Sequence, residues 1–251
     1  MVKNNIIIMA GGLGKRMNSD IPKVLHEFNH KPMIVNIIET VMKLDINKIF
    51  IIVGKHRNII QSIIEEYVIS DLIEYVIQHE ALGTGHAIQA CYNHLLMNHQ
   101  HKTLILSGDV PLIRVETLKK MIDLDSNCVI LTAKVENPYG YGRIVRKDNI
   151  FLKIQEEKDC TIEEKKISEI NAGIYLIQTG YLIGDILNIT NKNNQKEYYL
   201  TDIFKLLKKK NLDIDLLELN SSESYQIRGV NTIEQLGELN SIIKQQNLSN
   251  I

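Results

Sequence analysis

The sequence has 251 residues, of which 44% are hydrophobic and 24% charged, and its formal net charge is −1 at pH 7. These ordinary values exclude an intrinsically disordered chain, and the near-neutral charge argues against a nucleic-acid partner, which usually meets a clearly basic face. No apolar stretch is long enough to span a membrane, and three widely spaced cysteines suggest reduced thiols, so we expect a cytoplasmic protein without a membrane partner.

Strand and helix patterns alternate through the first half of the chain. The apolar run of residues 6–8 predicts a buried strand that ends in a glycine-rich loop, and apolar residues recur with helical spacing from Pro32 to Leu44. Further elements are predicted as strands at residues 49–53, 73–77 and 103–107 and helices at residues 59–67 and 85–96. This alternation predicts a doubly wound α/β fold with a mostly parallel sheet, whose ligands lie beyond the carboxyl ends of the strands.

The second half has shorter strands with turn signals between them. The predicted strands are residues 128–134, 143–146, 151–155 and 173–178, and the predicted helices are residues 181–187, 200–210 and 233–246. We interpret this half as a mixed extension of the same sheet that covers the ligand site. No linker, low-complexity tract or internal repeat divides the chain, so we predict a single domain.

The loop after the first strand has the composition of a phosphate-binding site. Glycines within residues 11–14 allow backbone N–H groups to approach an anion closely, and Lys15, Arg16 and Lys23 add positive charge. It is not a Walker loop, because no hydroxyl residue follows Lys15, and it lacks the third glycine of the dinucleotide fingerprint. A tight turn without a ligand is the alternative, but it leaves the cations unexplained. The loop therefore predicts a triphosphate site.

Two other loops carry candidate ligand-binding residues. Asp109 follows the strand at residues 103–107, where a carboxylate can meet phosphate-bound magnesium; a turn or helix-cap role is the alternative. Gln78 offers both a donor and an acceptor to the edge of a pyrimidine, and Gly83 and Gly85 allow flat contact with a ring or phosphate. A Gly-Thr-Gly turn that only caps a helix is the alternative for this second loop.

These loops belong to a longer series of motifs that resembles a known family. The series continues with residues 140–144, 156–159, 169–173, 197–202 and 229–231. From Ile6 to Asn231 it closely resembles the N-acetylglucosamine-1-phosphate uridylyltransferase domain, the pyrophosphorylase half of the bifunctional enzyme that makes UDP-N-acetylglucosamine. The resemblance implies a Rossmann-like sugar nucleotidyltransferase fold, with a nucleotide-binding half at residues 1–135, a sugar-binding half at 136–230 and a C-terminal helix at 231–251.

The resemblance also implies a role for each matching residue. The substrates would be UTP and N-acetylglucosamine 1-phosphate, with Mg²⁺ as cofactor and the protein a monomer or a weak homo-oligomer. The nucleotide would be bound by Met9, Ala10, Gly11, Gly12, Gln78, Gly83, Thr84 and Gly108. The catalytic residues would be Arg16, Lys23 and Asp109, and the metal ligands Asp109 and Asn231. The sugar and its N-acetyl group would be bound by Gly142, Glu156, Asn171, Tyr198 and Thr201.

Without the resemblance, several of these residues have simpler explanations. Glu156 is equally well explained as a charge on an exposed strand end, and Asn171 as a turn asparagine. Asn231 is better explained as a turn before a helix. The chain also departs from the family, which usually has Ala-Gly at Gly11-Gly12 and often an aromatic residue at Ser107. Because the sequence ends without hexapeptide repeats, we expect no acetyltransferase activity.

Three other functions stay open on the sequence alone. The first is the same chemistry with another base or sugar, such as dTTP, CTP or a hexose 1-phosphate. The second is a glycosyltransferase with a metal-binding Asp-x-Asp motif, for which residues 123–125 and 213–215 are candidates. The third is a non-catalytic sugar-nucleotide sensor, which would be expected to lack Lys23 or Asp109.

Overall fold

A nine-stranded mixed sheet forms the centre of the protein. The structure is a computed structural model that describes residues 3–12 and 14–249, except for the side chains of Lys15 and of residues 244–249. The strands are β1 (Asn4–Met9), β4 (Ile46–Val53), β5 (Ile73–Ile77), β6 (Lys102–Ser107), β7 (Cys128–Lys134), β8 (Arg143–Lys147), β9 (Ile150–Gln155), β10 (Glu169–Gln178) and β11 (Asp215–Leu219). A two-stranded hairpin, β2 (Glu27–Phe28) with β3 (Lys31–Pro32), lies apart from this sheet.

Helices follow most of the strands. They are α1 (Met33–Val41), α2 (Arg57–Tyr67), α3 (Thr84–Ala90), α4 (Tyr92–Met97), α5 (Val115–Asp123), α6 (Thr179–Asp185), α7 (Asp202–Lys209) and α8 (Ile233–Ser249). No helix within the described ranges is both long enough and apolar enough to cross a membrane.

The strand order explains where the loops meet. The order is β11-β7-β10-β6-β1-β4-β5, and only β10 among these runs antiparallel to its neighbours, while the β8–β9 hairpin attaches to β10. The carboxyl ends of β1, β4, β5 and β6 therefore lie along one edge of the sheet. The predicted α/β fold with a mostly parallel mixed sheet is confirmed.

The two faces of the sheet have separate hydrophobic cores. Ile6 and Ile8 pack in one core with residues of α1, α2 and α5, and Ile7 packs in the other with residues of α3, α4, α6 and α7. Successive side chains of a strand point to opposite faces, so the continuous apolar run of β1 is what burial on both faces requires.

Some predicted boundaries differ from the structure. The helix predicted at residues 85–96 is two helices, because the backbone at Cys91 (φ −86°, ψ 1°) leaves the helical conformation. Strand β10 begins at Glu169 instead of the predicted residue 173, and its register with β7 shifts between Asn171 and Tyr175. The division of the chain at residues 135 and 230 stays a prediction.

The three cysteines are unpaired, as their spacing predicts. Cys91 and Cys128 are buried in the core under α3, α4, α6 and α7. Burial raises the pKa of the Cys91 thiol to about 12, so this side chain is an unreactive core residue.

Candidate active site

A cavity of about 590 Å³ opens at the carboxyl edge of the sheet, where the loops after β1, β5 and β6 emerge. Eleven of the residues predicted for the site line it: Met9, Ala10, Gly11, Gly12, Arg16, Lys23, Gln78, Gly83, Thr84, Asp109 and Asn231. Gly108 precedes Asp109 of this lining, and its N–H donates to the carbonyl oxygen of Met9, another lining residue, over 2.9 Å. The structure thus brings together the predicted nucleotide-binding, catalytic and metal-binding residues.

The glycine-rich loop lies against Lys23. Gly14 has a left-handed backbone (φ +59°), and a Cβ there would lie 2.9 Å from the Cβ of Lys23. At Gly12, by contrast, a Cβ would meet no heavy atom of the described residues within 4 Å, apart from its chain neighbours. Among the described residues, the loop therefore packs at Gly14 and has nothing against Gly12. Leu13 and the side chain of Lys15, predicted as a further cation, lie outside the described residues.

Two cations and two oxygen donors meet at the mouth of this loop. Lys23 and Asp109 form an ion pair in which both side chains are largely buried, and Lys23 Nζ lies 3.2 Å from Asn231 Oδ1. Arg16 donates to the same Asn231 oxygen over 2.9 Å. The N–H of Val230 donates to the Asp109 carbonyl over 2.9 Å. This bond holds Asn231 beside Asp109, although the two residues are far apart in the sequence.

These oxygen donors fit a magnesium ion. Within residues 3–12 and 14–249 there is no group of three or more His, Cys, Asp or Glu side chains that could hold a metal. Mg²⁺ does not need one, since it usually keeps several waters and takes one or two carboxylates together with substrate phosphates. Asp109 and Asn231 supply one carboxylate and one amide oxygen that already converge on the ammonium group of Lys23.

The opposite wall of the cavity is formed by the loop between β5 and α3. Gln78 is buried, and its Nε2 donates to the Gly83 carbonyl over 3.1 Å. Gly83 has φ +116°, and a Cβ there would lie 2.6 Å from the carbonyl oxygen of Tyr198. The Thr84 hydroxyl oxygen accepts a hydrogen bond from the N–H of Leu200 over 3.1 Å. This wall is therefore built by close packing of residues 83–84 against residues 198–200.

Four of the five predicted sugar-binding residues also lie close together. Thr201 Oγ1 donates to Glu156 Oε1 over 2.7 Å, and the N–H of Asn171 donates to the Gly142 carbonyl over 2.8 Å. A Cβ on Gly142 would lie 3.6 Å from Glu156 Oε2. Burial raises the pKa of Glu156, and the hydrogen bond from Thr201 opposes this effect. The group combines a carboxylate, an amide and a hydroxyl, which are suited to sugar hydroxyls and an acetamide.

The fifth predicted residue, Tyr198, lies elsewhere. Its backbone N–H donates to Leu82 and its carbonyl accepts from Gly85, and its ring packs near that of His86 with the ring centroids 6.1 Å apart. The neighbouring Tyr199 lies instead in a cavity of about 130 Å³ with Glu156 and Thr201. The two tyrosines are adjacent, and the sequence pattern gave no signal for which of them faces Glu156.

A buried ion pair supports the loop that contains Gly142. Arg143 is 1% exposed, and its Nη2 lies 2.7 Å from Glu157 Oε2, which also accepts from the Gly140 N–H over 3.3 Å. Arg143 donates as well to the carbonyl of Tyr141. Sequence reasoning placed Arg143 and Glu157 in motifs without giving them roles. It also missed Glu197, which lines the larger cavity.

The two Asp-x-Asp stretches lie at the other edge of the sheet. Asp125 precedes β7 and Asp215 begins β11, and both strands run parallel to each other with their amino ends together. Asp125, Asp213 and Asp215 line a polar cavity of about 580 Å³ that also contains Arg146 and Lys208. Neither stretch adjoins the glycine-rich loop or Asp109.

Known proteins are similar to this chain in sequence and in fold. The family model described as "Nucleotidyl transferase" matches residues 5–246. A mimivirus protein named "Probable UDP-N-acetylglucosamine pyrophosphorylase" (Acanthamoeba polyphaga mimivirus) is 41% identical over 245 residues, covering 95% of this chain and 96% of the relative. "Bifunctional protein GlmU" of Clostridium novyi is 40% identical over 243 residues, covering 95% of this chain and 52% of the relative.

The fold comparison agrees with the sequence comparisons. A structure titled "Putative Glucose-1-Phosphate Thymidylyltransferase" from Bacillus anthracis superposes with a TM-score of 0.73 at 21% identity, covering 95% of this chain and 94% of that one. The chain spans about half the length of the GlmU relatives that it matches. These matches confirm the resemblance to the uridylyltransferase domain. The chain belongs to the nucleotidyl transferase family.

Proposed function

We propose that this protein makes UDP-N-acetylglucosamine and pyrophosphate from UTP and N-acetylglucosamine 1-phosphate. The observation that carries the proposal is the convergence of Arg16, Lys23, Asp109 and Asn231 at the mouth of the glycine-rich loop, in one cavity with Gln78. The names of the mimivirus and clostridial relatives support the choice of substrates.

Each wall of the cavity has a part in binding UTP. The N–H groups of Gly11 and Gly12 would contact the phosphates, while the Ala10 N–H donates to the Ile52 carbonyl within the sheet. Gly12 would face the ligand, since a Cβ there meets no heavy atom of the described residues within 4 Å beyond its chain neighbours. Gln78, Gly83 and Thr84 would contact the uracil on the opposite wall. Gly142, Glu156, Asn171 and Thr201 would hold the sugar, with Tyr199 in place of Tyr198 beside Glu156.

The reaction is a displacement at the α-phosphorus of UTP. An oxygen of the sugar 1-phosphate forms a bond to that phosphorus, the bond to the bridging oxygen breaks, and pyrophosphate leaves with the electron pair. The nucleophile is already ionised, so no side chain has to remove a proton. This agrees with a site built from cations and amides instead of a nucleophile and a base.

The chief obstacle is repulsion between the two anionic substrates. A pair of unit charges 4 Å apart repels by about 4 kcal/mol at an effective dielectric constant of 20. Lys23 and Arg16, which meet Asp109 and Asn231 at the glycine-rich loop, would offset this repulsion and stabilise the charge that develops on the leaving pyrophosphate. Mg²⁺, held by Asp109 and Asn231, would supply further neutralisation of phosphate charge.

An assay of pyrophosphate release tests the proposal. The protein is given UTP, dTTP or CTP, each with N-acetylglucosamine 1-phosphate, glucose 1-phosphate or galactose 1-phosphate, in the presence of Mg²⁺. We expect the highest kcat/KM with UTP and N-acetylglucosamine 1-phosphate. A preference for CTP or for a hexose 1-phosphate would contradict the base or sugar assignment. In a separate reaction with UDP-N-acetylglucosamine and a sugar acceptor in place of these substrates, release of UDP would indicate a glycosyltransferase instead.

dTTP is the closest competitor for the base site. Thymine presents the same hydrogen-bonding edge as uracil and differs by one methyl group, and a single methyl group is usually worth only about 1–3 kcal/mol of discrimination. The UTP and dTTP arms of the assay therefore decide between these two nucleotides.

A further inference from the structure

His86 lies behind the side chain that faces the base. It is the third residue of α3, and its Nδ1 lies 3.1 Å from Nε2 of Gln78. The same Nε2 lies 3.1 Å from the carbonyl oxygen of Gly83. Gln78 is 7% exposed, so its amide is held between these two partners against the cavity wall.

The Gly83 carbonyl fixes which way the Gln78 amide points. A carbonyl oxygen only accepts hydrogen bonds, so the atom of Gln78 that faces it must be the NH₂ group. That group has two hydrogens and no acceptor capacity, so His86 Nδ1 must accept the second one. His86 is therefore neutral and carries its hydrogen on Nε2.

This arrangement leaves one polar atom of Gln78 for the ligand. Both hydrogens of Nε2 are used within the protein, and Oε1 has no hydrogen-bond partner among the described residues. Oε1 faces the glycine-rich loop, since a Cβ on Gly11 would lie 3.1 Å from it. Gln78 thus presents a hydrogen-bond acceptor to the cavity.

An acceptor at this point distinguishes the pyrimidines. Uracil and thymine carry an N–H at ring position 3, whereas cytosine carries a lone pair there. We propose that His86 is a positioning residue for base selection, which holds the Gln78 amide so that Oε1 accepts from a base N3–H and repels cytosine in the same pose. This inference rests on the proposed function in one respect only, that Gln78 contacts the base.

A pair of variants with the same shape tests the inference. Asn and Leu are nearly isosteric, but only Asn can place an acceptor close to the position of His86 Nδ1. We expect His86→Leu to lower the ratio of kcat/KM for UTP to that for CTP about tenfold, the effect of one hydrogen bond. His86→Asn should keep the ratio close to that of the wild type, and KM for the sugar phosphate should change in neither variant.

A second histidine provides the matched control. His94 in α4 also makes a hydrogen bond through Nδ1, to Glu74 Oε2 over 3.1 Å, and its ring packs against Phe50. We expect His94→Leu to leave the UTP to CTP ratio unchanged. An equal loss of the ratio in His94→Leu, or an unchanged ratio in His86→Leu, would overturn the role of His86.

A measurement on the wild type does not depend on variants that fold. Nitrogen NMR of the uniformly labelled protein at pH 7.5 should show His86 neutral, with the proton on Nε2. A proton on Nδ1 would overturn the inference. The wild-type nucleotide panel separates this failure from failure of the proposed function: if UTP is preferred over CTP but His86 has no effect, only the inference fails.

Discussion

The ammonium group of Lys23 and the carboxylate of Asp109 neutralise each other in the cavity, with side-chain exposures of 16% and 14%. A triphosphate and a divalent cation would each take one member of this pair. When both bind together, each buried charge exchanges one partner for another, so neither is left unpaired.

The first prediction removes the charge of Asp109. Asp109→Asn keeps the shape of the side chain, and we expect it to lower magnesium-dependent pyrophosphate release about 100-fold or more, the usual effect of losing a group that stabilises transition-state charge. Far-UV circular dichroism should show an intact fold. Asp125→Asn, at the opposite edge of the sheet, is the control and should retain full activity. Full activity in Asp109→Asn would remove Asp109 from the mechanism.

The second prediction concerns the space in front of Gly12. A Cβ there meets no atom of the described residues within 4 Å beyond its chain neighbours, so Gly12→Ala should leave the melting temperature unchanged. The methyl group would occupy the space predicted for the phosphates, and we expect KM for UTP to rise about tenfold through loss of a close backbone contact. Gly184→Ala is the control, because its Cβ also meets nothing and it lies in α6. Unchanged UTP kinetics in Gly12→Ala would place the phosphates elsewhere.

The third prediction tests the support of the loop that contains Gly142. Glu157→Gln leaves Arg143 buried without its opposite charge, and we expect a loss of about 2 kcal/mol in the free energy of unfolding, as for other hydrogen bonds to charged groups. Because Glu157 also holds the Gly140 N–H, KM for the sugar phosphate should rise more than KM for UTP. Both constants come from steady-state assays and the stability from urea denaturation.

A second ion pair, between Arg146 and Glu169, is the control for the pair of Arg143 and Glu157, and both arginines lie on β8. Arg146 and Glu169 make two hydrogen bonds of 2.7 and 2.8 Å, and Arg146 lines the polar cavity at the other sheet edge. Glu169→Gln should therefore cost stability without a selective effect on KM for the sugar phosphate. The same selective rise in both variants would show that the effect is a general loss of stability.

The fourth prediction follows from the raised pKa of Glu156. Burial is the main cause, and the ordinary value is 4.5. An acid whose pKa is higher in the folded than in the unfolded state lowers the free energy of unfolding once it is ionised. The wild type therefore loses stability as the pH rises from the unfolded-state pKa of Glu156 through its folded-state pKa. Glu156→Gln carries no charge. We expect it to be more stable than the wild type at pH 7 and the difference to vanish below pH 4.5.

Glu164 provides a control, because its pKa is shifted in the opposite direction to that of Glu156. Burial raises its pKa, but hydrogen bonds from Lys153 and Thr161 outweigh this, and the net shift is downward. Its contribution to stability is present above the unfolded-state pKa and is lost as the pH falls through the folded-state pKa. Glu164→Gln should be less stable than the wild type at pH 7. Urea denaturation over a pH series measures both variants, and a Glu156→Gln protein less stable than the wild type at pH 7 contradicts the prediction.

Much of the fold was predictable because a strand that is buried on both faces of a sheet has a continuous run of apolar residues. The run of residues 6–8, followed by glycines, indicated a central parallel strand and the loop at its carboxyl end. The position of Asp109 after a second such strand then predicted that the two loops meet, and they do. Strand order and the antiparallel direction of β10 depend on long-range pairing, which no local pattern encodes.

The details of the site were less predictable for a different reason. Tyr198 and Tyr199 have the same chemistry, and packing against Gly83 and Gly85 decides which one points away from Glu156. His86 had no signal of its own, because its significance comes from a distance to Gln78. The break at Cys91 was missed since the apolar spacing continues across it.

The single long strand β10 limits how this protein can move. Its first part, through Asn171, pairs with β7 and β8 beside Gly142, and its last part, from Tyr175, pairs with β6, whose end leads to Asp109. A rigid-body swing of one half against the other would break backbone hydrogen bonds on both sides of this strand. We therefore expect loops and side chains to account for most of the adjustment to a substrate, and the shared strand to hold the spacing between the two binding regions.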